Sequence, residues 1–130
     1  KQADRVKDIL KSNYDLKTDM VVVLGDFNDT PDSNPLKDLL ATPNLFDVLK
    51  LKFGNDIEKT YTYFFKKKLQ IDYILVSKPL KYLFKDAGVE RRGMYEIDTL
   101  SNGAEHRFDT ITASSNAASD HAAVWADFNL

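Results

Sequence analysis

Residues 20–28 read Met-Val-Val-Val-Leu-Gly-Asp-Phe-Asn. A short apolar run that ends at a turn signal predicts a strand buried on both faces. Asp26 and Asn28 alternate with Phe27, so both side chains can point the same way where that strand ends. Ligands of open α/β sheets tend to lie beyond the carboxyl ends of strands. A carboxylate and an amide there suit a metal ion and a phosphate, and the alternative is a buried strand followed by a solvated Asp-Asn turn.

Length, charge and cysteine content limit the classes of function. The 130 residues are enough for one core, and 43% hydrophobic with 29% charged residues is ordinary for a globular domain. The formal net charge of −2 does not indicate a nucleic-acid binder, but it is compatible with an enzyme that meets phosphates through a metal ion. The absence of cysteine excludes disulfides, thiolate zinc sites and a cysteine nucleophile, and it leaves the cellular compartment unassigned. No apolar run approaches the length of a membrane span.

The pattern along the chain predicts alternating helices and strands. Helices are expected at residues 3–16, from Pro35 to about residue 41, at 45–49 and at 80–84. Strands are expected at residues 20–24, 60–65, 71–76, 86–91 and 121–128. The strands 60–65 and 71–76 are predicted to form an antiparallel hairpin that turns at the intervening lysines. Residues 93–119 are predicted to be a long loop, braced by Asn116.

Three short motifs follow one another in the chain: Gly25-Asp-Phe-Asn28, Ile71-Asp-Tyr-Ile-Leu75 and Ser119-Asp-His121. Each is common alone, but here they occur together, in order, at the ends of predicted strands. The arrangement resembles the C-terminal half of the endonuclease/exonuclease/phosphatase superfamily, the metal-dependent phosphoesterases that include deoxyribonuclease I and exonuclease III-like repair nucleases. The resemblance covers essentially the whole chain. It implies an α/β (α+β) fold, half of a four-layer αββα sandwich, with one mixed β-sheet and helices on one face.

Hydrolysis of a phosphodiester needs an activated water and neutralised charge on the phosphoryl oxygens. His121 is the natural general base, because the pKa of an imidazole lies near physiological pH. The resemblance implies that Asp72 orients His121. It also implies that Asp26 contacts the attacking water, the leaving group or the metal ion, and that Asp120 binds or orients the metal.

The same resemblance assigns two residues to the substrate phosphate. Asn28 is expected to hydrogen-bond the phosphoryl oxygens and stabilise charge in the transition state. Thr62 matches a family threonine that can touch a phosphate, although a threonine in a strand is usually explained by β-propensity alone. The metal bound at Asp26 and Asp120 is expected to be Mg²⁺ or Mn²⁺, with Ca²⁺ as the alternative.

These residues favour a metal-dependent phosphoesterase that hydrolyses phosphodiesters, with nucleic acid as the expected substrate, by in-line attack of an activated water. One alternative is a lipid or inositol-phosphate phosphoesterase of the same superfamily. Another is a non-catalytic binding module that kept the fold. Retention of all five polar residues (Asp26, Asn28, Asp72, Asp120 and His121) argues against the module, because decay usually removes such groups first.

The resemblance also implies that the N-terminal half of the family's domain contributes a metal-binding glutamate and an asparagine. We therefore expect the natural chain to begin upstream of Lys1 and this chain to be inactive alone. The apolar face that carries Val22, Leu24, Ile74 and Val124 is expected to be covered by that half, or by a second copy in a homodimer.

Three further features carry weaker signals. Lys66, Lys67 and Lys68 could meet a polyanion, but a solvated hairpin tip is the favoured interpretation. Residues 26–37 faintly resemble a calcium loop, yet Pro31 stands where glycine is needed and Lys37 where glutamate should close the loop, so an EF-hand is excluded. His106 is isolated in a loop and is interpreted as a bystander.

Overall fold

The computed structural model describes residues 2–130. Its α-helices are α1 (Gln2–Asn13), α2 (Asn34–Leu40), α3 (Val48–Phe53), α4 (Ile57–Thr60), α5 (Lys78–Leu83) and α6 (Ile97–Leu100), and a 3₁₀ turn covers Ser114–Asn116. Its strands are β1 (Val22–Asp26), β2 (Leu45–Asp47), β3 (Tyr63–Phe65), β4 (Lys67–Leu69), β5 (Asp72–Ser77), β6 (Phe84–Glu90) and β7 (Ala123–Phe128). Within this range no helix has the length and apolar character needed to cross a membrane.

The central sheet has β5 in the middle, flanked by β1 and β2, with both pairs antiparallel. Pairing with β1 places Val22 opposite Val76 and Asp26 opposite Asp72. The middle position suits the sequence of β5, because its side chains are apolar on both faces and a central strand has both faces covered. The register therefore sets two carboxylates side by side where β1 ends and β5 begins.

Two helices cover the first face of the central sheet. Leu10 of α1 and Leu36 and Leu39 of α2 are buried in one cluster with Tyr73 and Leu75 of β5. Burying one such leucine contributes about 1.5–3 kcal/mol relative to leaving it in water. This cluster fixes the end of β1, because Phe27, the residue after that strand, stacks on Tyr73 with ring centroids 5.2 Å apart.

The second face is covered only in part. The paired strands β6 and β7 pack there together with α3 and α5, and they bury Val48, Val76 and Ala87. The β1 edge of the same face stays open, because Val22 is 46% exposed and Leu24 is 66% exposed. The chain alone thus leaves an apolar strip along β1.

The predicted α/β class is confirmed, but its sheet differs from the expected single mixed sheet. The strands form one three-stranded and two two-stranded sheets, and every pair is antiparallel. Helices also lie on both faces of the central sheet, since α3 and α5 join the second cluster. The mixed-sheet prediction was wrong because each strand pairs with a neighbour that runs in the opposite direction.

The predicted hairpin between residues 60–65 and 71–76 is also wrong. The chain turns at Lys66, whose φ is 58°, and β3 pairs with β4. β5 is instead recruited to the centre of the larger sheet, where burial of its apolar side chains outweighs pairing with the nearest strand in sequence.

Residues 45–49, predicted to be helical, are divided between two elements at Asp47. Leu45–Asp47 is a strand on the edge of β5, and α3 begins at Val48. Asp47 starts the helix, because its Oδ1 accepts the N–H of Leu49 at 2.9 Å. Its Oδ2 accepts a second hydrogen bond, at 2.8 Å, from the amide of the buried Gln70. Burial raises the pKa of Asp47 in spite of these two donors.

Replacing Asp47 should therefore destabilise the fold. Asp47→Ala removes a helix cap and leaves the buried Gln70 amide without an acceptor, so we expect a loss of about 2 kcal/mol in the free energy of unfolding. Asp47→Asn keeps an oxygen for the cap and should cost clearly less. Urea denaturation of the two variants measures both values, and equal losses would show that the cap contributes little.

Candidate active site

Three ionisable side chains meet at one end of the central sheet. Asp26 is the last residue of β1, Asp72 is the first residue of β5, and His121 lies just before β7. One ligand atom from each residue lies within 4.8 Å of the other two. Residues separated by almost a hundred positions in the sequence are thus brought together by the antiparallel register of β1 and β5 and by the path of the chain into β7.

His121 and Asp72 form the predicted pair. His121 Nδ1 lies 2.9 Å from Asp72 Oδ2, and their side chains are 26% and 18% exposed. Because an ionised carboxylate can only accept, the Nδ1–H group donates and Nε2 is left to accept a proton. The Tyr63 ring packs beside the imidazole with centroids 4.8 Å apart. This arrangement fixes the orientation of the His121 imidazole.

The electrostatic environment favours the protonated form of His121. Its partial burial is the largest single influence and lowers the pKa, but the hydrogen bond and charge of Asp72 act against burial, helped by the charges of Asp26 and Asp120. The combined effect raises the pKa of His121 above its usual value. Asp72 therefore steadies the imidazolium that forms when His121 takes a proton.

Thr62 positions Asp72 from the interior. Its side chain is fully buried, at 0% exposure, and its Oγ1 accepts the N–H groups of Ile71 at 3.1 Å and Asp72 at 3.2 Å. A hydroxyl without exposed surface has no room for an anion beside it. The burial of Thr62 therefore argues against the predicted phosphate contact and favours a role in orienting Asp72.

Asp26 ends β1 and Asn28 lies on the turn that follows it, and both residues are exposed. Asn28 adopts a positive φ of 53°, a conformation that asparagine tolerates better than most residues, and its N–H donates to Asp26 Oδ1 at 2.8 Å. The turn therefore fixes the Asp26 carboxylate beside His121. The predicted contact of Asn28 with phosphoryl oxygens stays a prediction.

Asp120 lies at the border of the cluster. It is exposed, and its charge raises the pKa of His121, but it is not among the three groups whose ligand atoms meet. Its predicted role at a metal stays a prediction. The neighbouring Ser119 accepts the N–H of His121 at 2.9 Å and so shapes the turn into the final strand.

Other residues that the sequence singled out lie outside this cluster. His106 pairs with Asp98 at 2.9 Å but is 75% exposed. Lys68 forms an ion pair with Glu58 and packs over the Tyr61 ring. Asn116 braces the loop as predicted, because its side chain bonds to residues 110, 112 and 113.

Two residues of the site make contacts that the sequence pattern does not reveal. Tyr63 was assigned to the core, yet its ring lies on His121. The phosphate contact predicted for Thr62 stays a prediction, and the structure adds that its hydroxyl accepts the N–H of Asp72 from the interior. The position of Tyr63 beside His121 follows from an antiparallel bridge between the two residues, which the predicted hairpin did not include.

A model of the Endonuclease/Exonuclease/phosphatase family matches residues 1–121 of the chain, a stretch that includes all three motifs. The chain belongs to that family. A search of curated proteins found no match.

Solved structures with the same fold include other members of the family. One is the 3′ phosphatase NExo from Neisseria bound to a product DNA hairpin, with 22% identity, 99% of this chain and 51% of that chain covered, and a TM-score of 0.60. A second is a 3′-5′ exonuclease from Neisseria meningitidis (24% identity, 99% and 51% covered, TM-score 0.56). A third is a family protein from Leptotrichia buccalis (20% identity, 98% and 41% covered, TM-score 0.59).

These likenesses establish the fold. The chain spans about half the length of each of these structures.

Divalent metal ions are usual cofactors of this family, and the donors of the cluster fit one. Carboxylate oxygens are the ligands that Mg²⁺ and Mn²⁺ prefer. Asp26 Oδ1 accepts the N–H of Asn28, and Asp72 Oδ2 accepts Nδ1–H of His121. The second oxygen of each carboxylate is therefore the donor with capacity for an ion.

The His121–Asp72 pair should be visible in the titration of the metal-free chain. With EDTA present, NMR should give a His121 pKa above the usual value for histidine, and Asp72→Asn should lower it, because the hydrogen-bonded charge is lost. The folded pKa exceeds the unfolded one, so the stabilisation by Asp72 is full below the unfolded value and is lost as pH rises through the folded value. An unchanged His121 pKa in Asp72→Asn would contradict the pair.

Proposed function

We propose that this chain contributes the general base and part of the metal site of a divalent-metal-dependent phosphoesterase that hydrolyses phosphodiester bonds. The observation that carries the proposal is the cluster of Asp26, Asp72 and His121, in which Nε2 of an oriented imidazole is left to accept a proton. The family to which the chain belongs supports the same class of reaction.

In the proposed mechanism, His121 Nε2 takes a proton from the attacking water, and Asp72 stabilises the resulting imidazolium. Asn28 donates a hydrogen bond to a phosphoryl oxygen on which negative charge grows. A bound Mg²⁺ or Mn²⁺, held by Asp26 with Asp72 or Asp120, would neutralise charge on the phosphoryl group. In-line attack forms a bond from the water oxygen to phosphorus while the bond from phosphorus to the leaving oxygen breaks. The leaving oxygen takes a proton from solvent, so that the products are an alcohol and a phosphate monoester, and His121 returns its proton to solvent.

Nucleic acid is the proposed substrate. Two of the structurally similar proteins are described as a 3′ phosphatase bound to a DNA hairpin and as a 3′-5′ exonuclease. A lipid or inositol-phosphate phosphoesterase is the second candidate, and a binding module without chemistry is the third. The intact His121–Asp72 pair disfavours the module, because a fold kept only for binding has no use for an oriented base.

The open strip on β1 is proposed to receive the remainder of the family's domain. The chain spans about half of its structural relatives, and Val22 and Leu24 present apolar surface that an isolated domain would expose to water. A second copy of the chain is the alternative occupant, and it would cover the strip without adding new kinds of catalytic group.

The first test concerns the strip. The chain expressed alone should self-associate, and Val22→Thr combined with Leu24→Thr should shift it toward monomer, because threonine keeps β-propensity while reducing apolar surface. Tyr82→Ser, at an exposed position on α5, serves as the matched control and should change nothing. Sedimentation velocity gives the masses. A monomeric wild-type chain would contradict the proposed role of the strip.

The second test concerns the base. In the full-length protein, His121→Ala should lower the rate of bis(p-nitrophenyl) phosphate hydrolysis with Mg²⁺ or Mn²⁺ by at least about 10²-fold, the usual cost of removing a general base. His106→Ala is the control, because His106 also pairs with an aspartate but lies outside the cluster. EDTA should abolish hydrolysis. Near-normal turnover of His121→Ala would overturn the assignment.

A further inference from the structure

A cleft lies near His121 and shares wall residues with its surroundings. It has a volume of about 450 Å³, and its walls include Tyr63, Phe64, Tyr95, Glu96, Ser119 and Asp120. Two of these residues touch the catalytic cluster, since Tyr63 packs on the His121 ring and Asp120 precedes His121 in the chain. A group attached to a phosphate held at His121 could therefore extend into this cleft.

The outer wall of the cleft is built by the loop of residues 93–119. The two ends of this loop are joined, because Ala118 N–H donates to the carbonyl of Gly93 at 3.0 Å. A Cβ on Gly93 would lie 3.1 Å from Cβ of Ala118, so a side chain at this position would crowd the junction of the two ends. Asn116 ties the second half of the loop together through both ends of its amide. The cleft wall is therefore fixed by hydrogen bonds within the loop.

Tyr95 is held in place on that wall. The guanidinium of Arg107 lies 4.5 Å from the centroid of the Tyr95 ring, and it donates to the carbonyl of Tyr95 at 3.0 Å. Arg107 is in turn paired with Asp98 at 3.7 Å. Arg107, itself held by Asp98, therefore fixes the Tyr95 ring in place. The ring is positioned to contact a ligand in the cleft before the ligand binds.

The charges of the cleft exclude one kind of ligand. Glu96 and Asp120 are exposed acids, and no lysine or arginine is among the described residues that line it. A second phosphate would be repelled there, so the cleft does not suit a polyphosphorylated inositol. Tyrosine and phenylalanine rings, with the hydroxyls of Ser114 and Ser119, instead suit an uncharged planar group that stacks and forms hydrogen bonds.

We propose that this cleft binds the nucleobase next to the scissile phosphate, with Tyr95 as its specificity-determining residue. The inference rests on the proposed phosphoesterase function and narrows its substrate to nucleotides. Stacking on Tyr95 and on the Tyr63–Phe64 wall supplies affinity for any base, because every base has a π-face.

Binding can be tested without catalysis. The full-length protein is labelled with 3-fluorotyrosine, and the resonances are assigned with Tyr63→Phe, Tyr95→Phe and Tyr82→Phe. Adenosine, which has a base but no phosphate, should shift the Tyr63 and Tyr95 signals and leave Tyr82 unchanged. Ribose 5-phosphate, which has a phosphate but no base, should leave Tyr95 unchanged. A Tyr95 shift with ribose 5-phosphate alone, or no Tyr95 shift with adenosine at saturating concentration, would overturn the proposal.

Hydrolysis provides the second arm. A dinucleotide and its abasic analogue, in which both bases are replaced by hydrogen, are compared with Mg²⁺ present. The intact dinucleotide should be favoured by about tenfold in kcat/KM, chiefly through KM. Tyr95→Ala should remove this preference, whereas Tyr82→Ala, at an exposed position outside the cleft, should leave it unchanged. Equal rates on both substrates, insensitive to Tyr95→Ala, would refute the base site while the phosphoesterase function stands. If neither substrate is hydrolysed, the phosphoesterase function fails, and the adenosine titration still decides the base site.

Discussion

The hydrogen bonds of Thr62 hold together the parts of the chain that form the site. Its hydroxyl accepts the N–H groups of Ile71 and Asp72, its own N–H donates to Leu69 at 2.9 Å, and its carbonyl accepts the N–H of Ala122 at 2.7 Å. One buried residue thereby joins β3 and β4 to the start of β5 and to the approach of β7. The relative position of Asp72 and His121, on which the proposed chemistry depends, follows from this junction.

The parts of the site that were predicted correctly come from short-range patterns. An apolar run followed by Gly25 and Asp26 places a carboxylate at the end of a strand whatever the strand pairs with. The motif around His121 and the motif around Asp72 each specify a local turn or strand in the same way. The fold class and the His121–Asp72 pair are what the resemblance carried by these three motifs implies, and the structure brings the corresponding strand ends together.

The parts that were predicted wrongly depend on which strand pairs with which. β3 and β5 have the composition of a hairpin, yet burial draws β5 to the centre and leaves the short β4 to pair with β3. The hydrogen bond from the Asp72 N–H to Thr62 depends on that pairing, so the sequence could not predict it either. The loop of residues 93–119 has no periodic pattern, and its cleft depends on contacts such as Gly93 with Ala118 that composition does not reveal.

Because Asp26 pairs with Asp72, the geometry of the site depends on the register of β1. Successive side chains of β1 point to opposite faces, so one inserted or deleted residue within it would turn Asp26 away from His121 and move Val23 out of the first cluster. Substitutions at Val22 or Leu24 carry no such penalty. Among natural relatives, insertions and deletions should thus be absent from β1 and β5 and concentrate in exposed turns such as residues 101–104. The apolar residues at positions 22 and 24 should vary in identity.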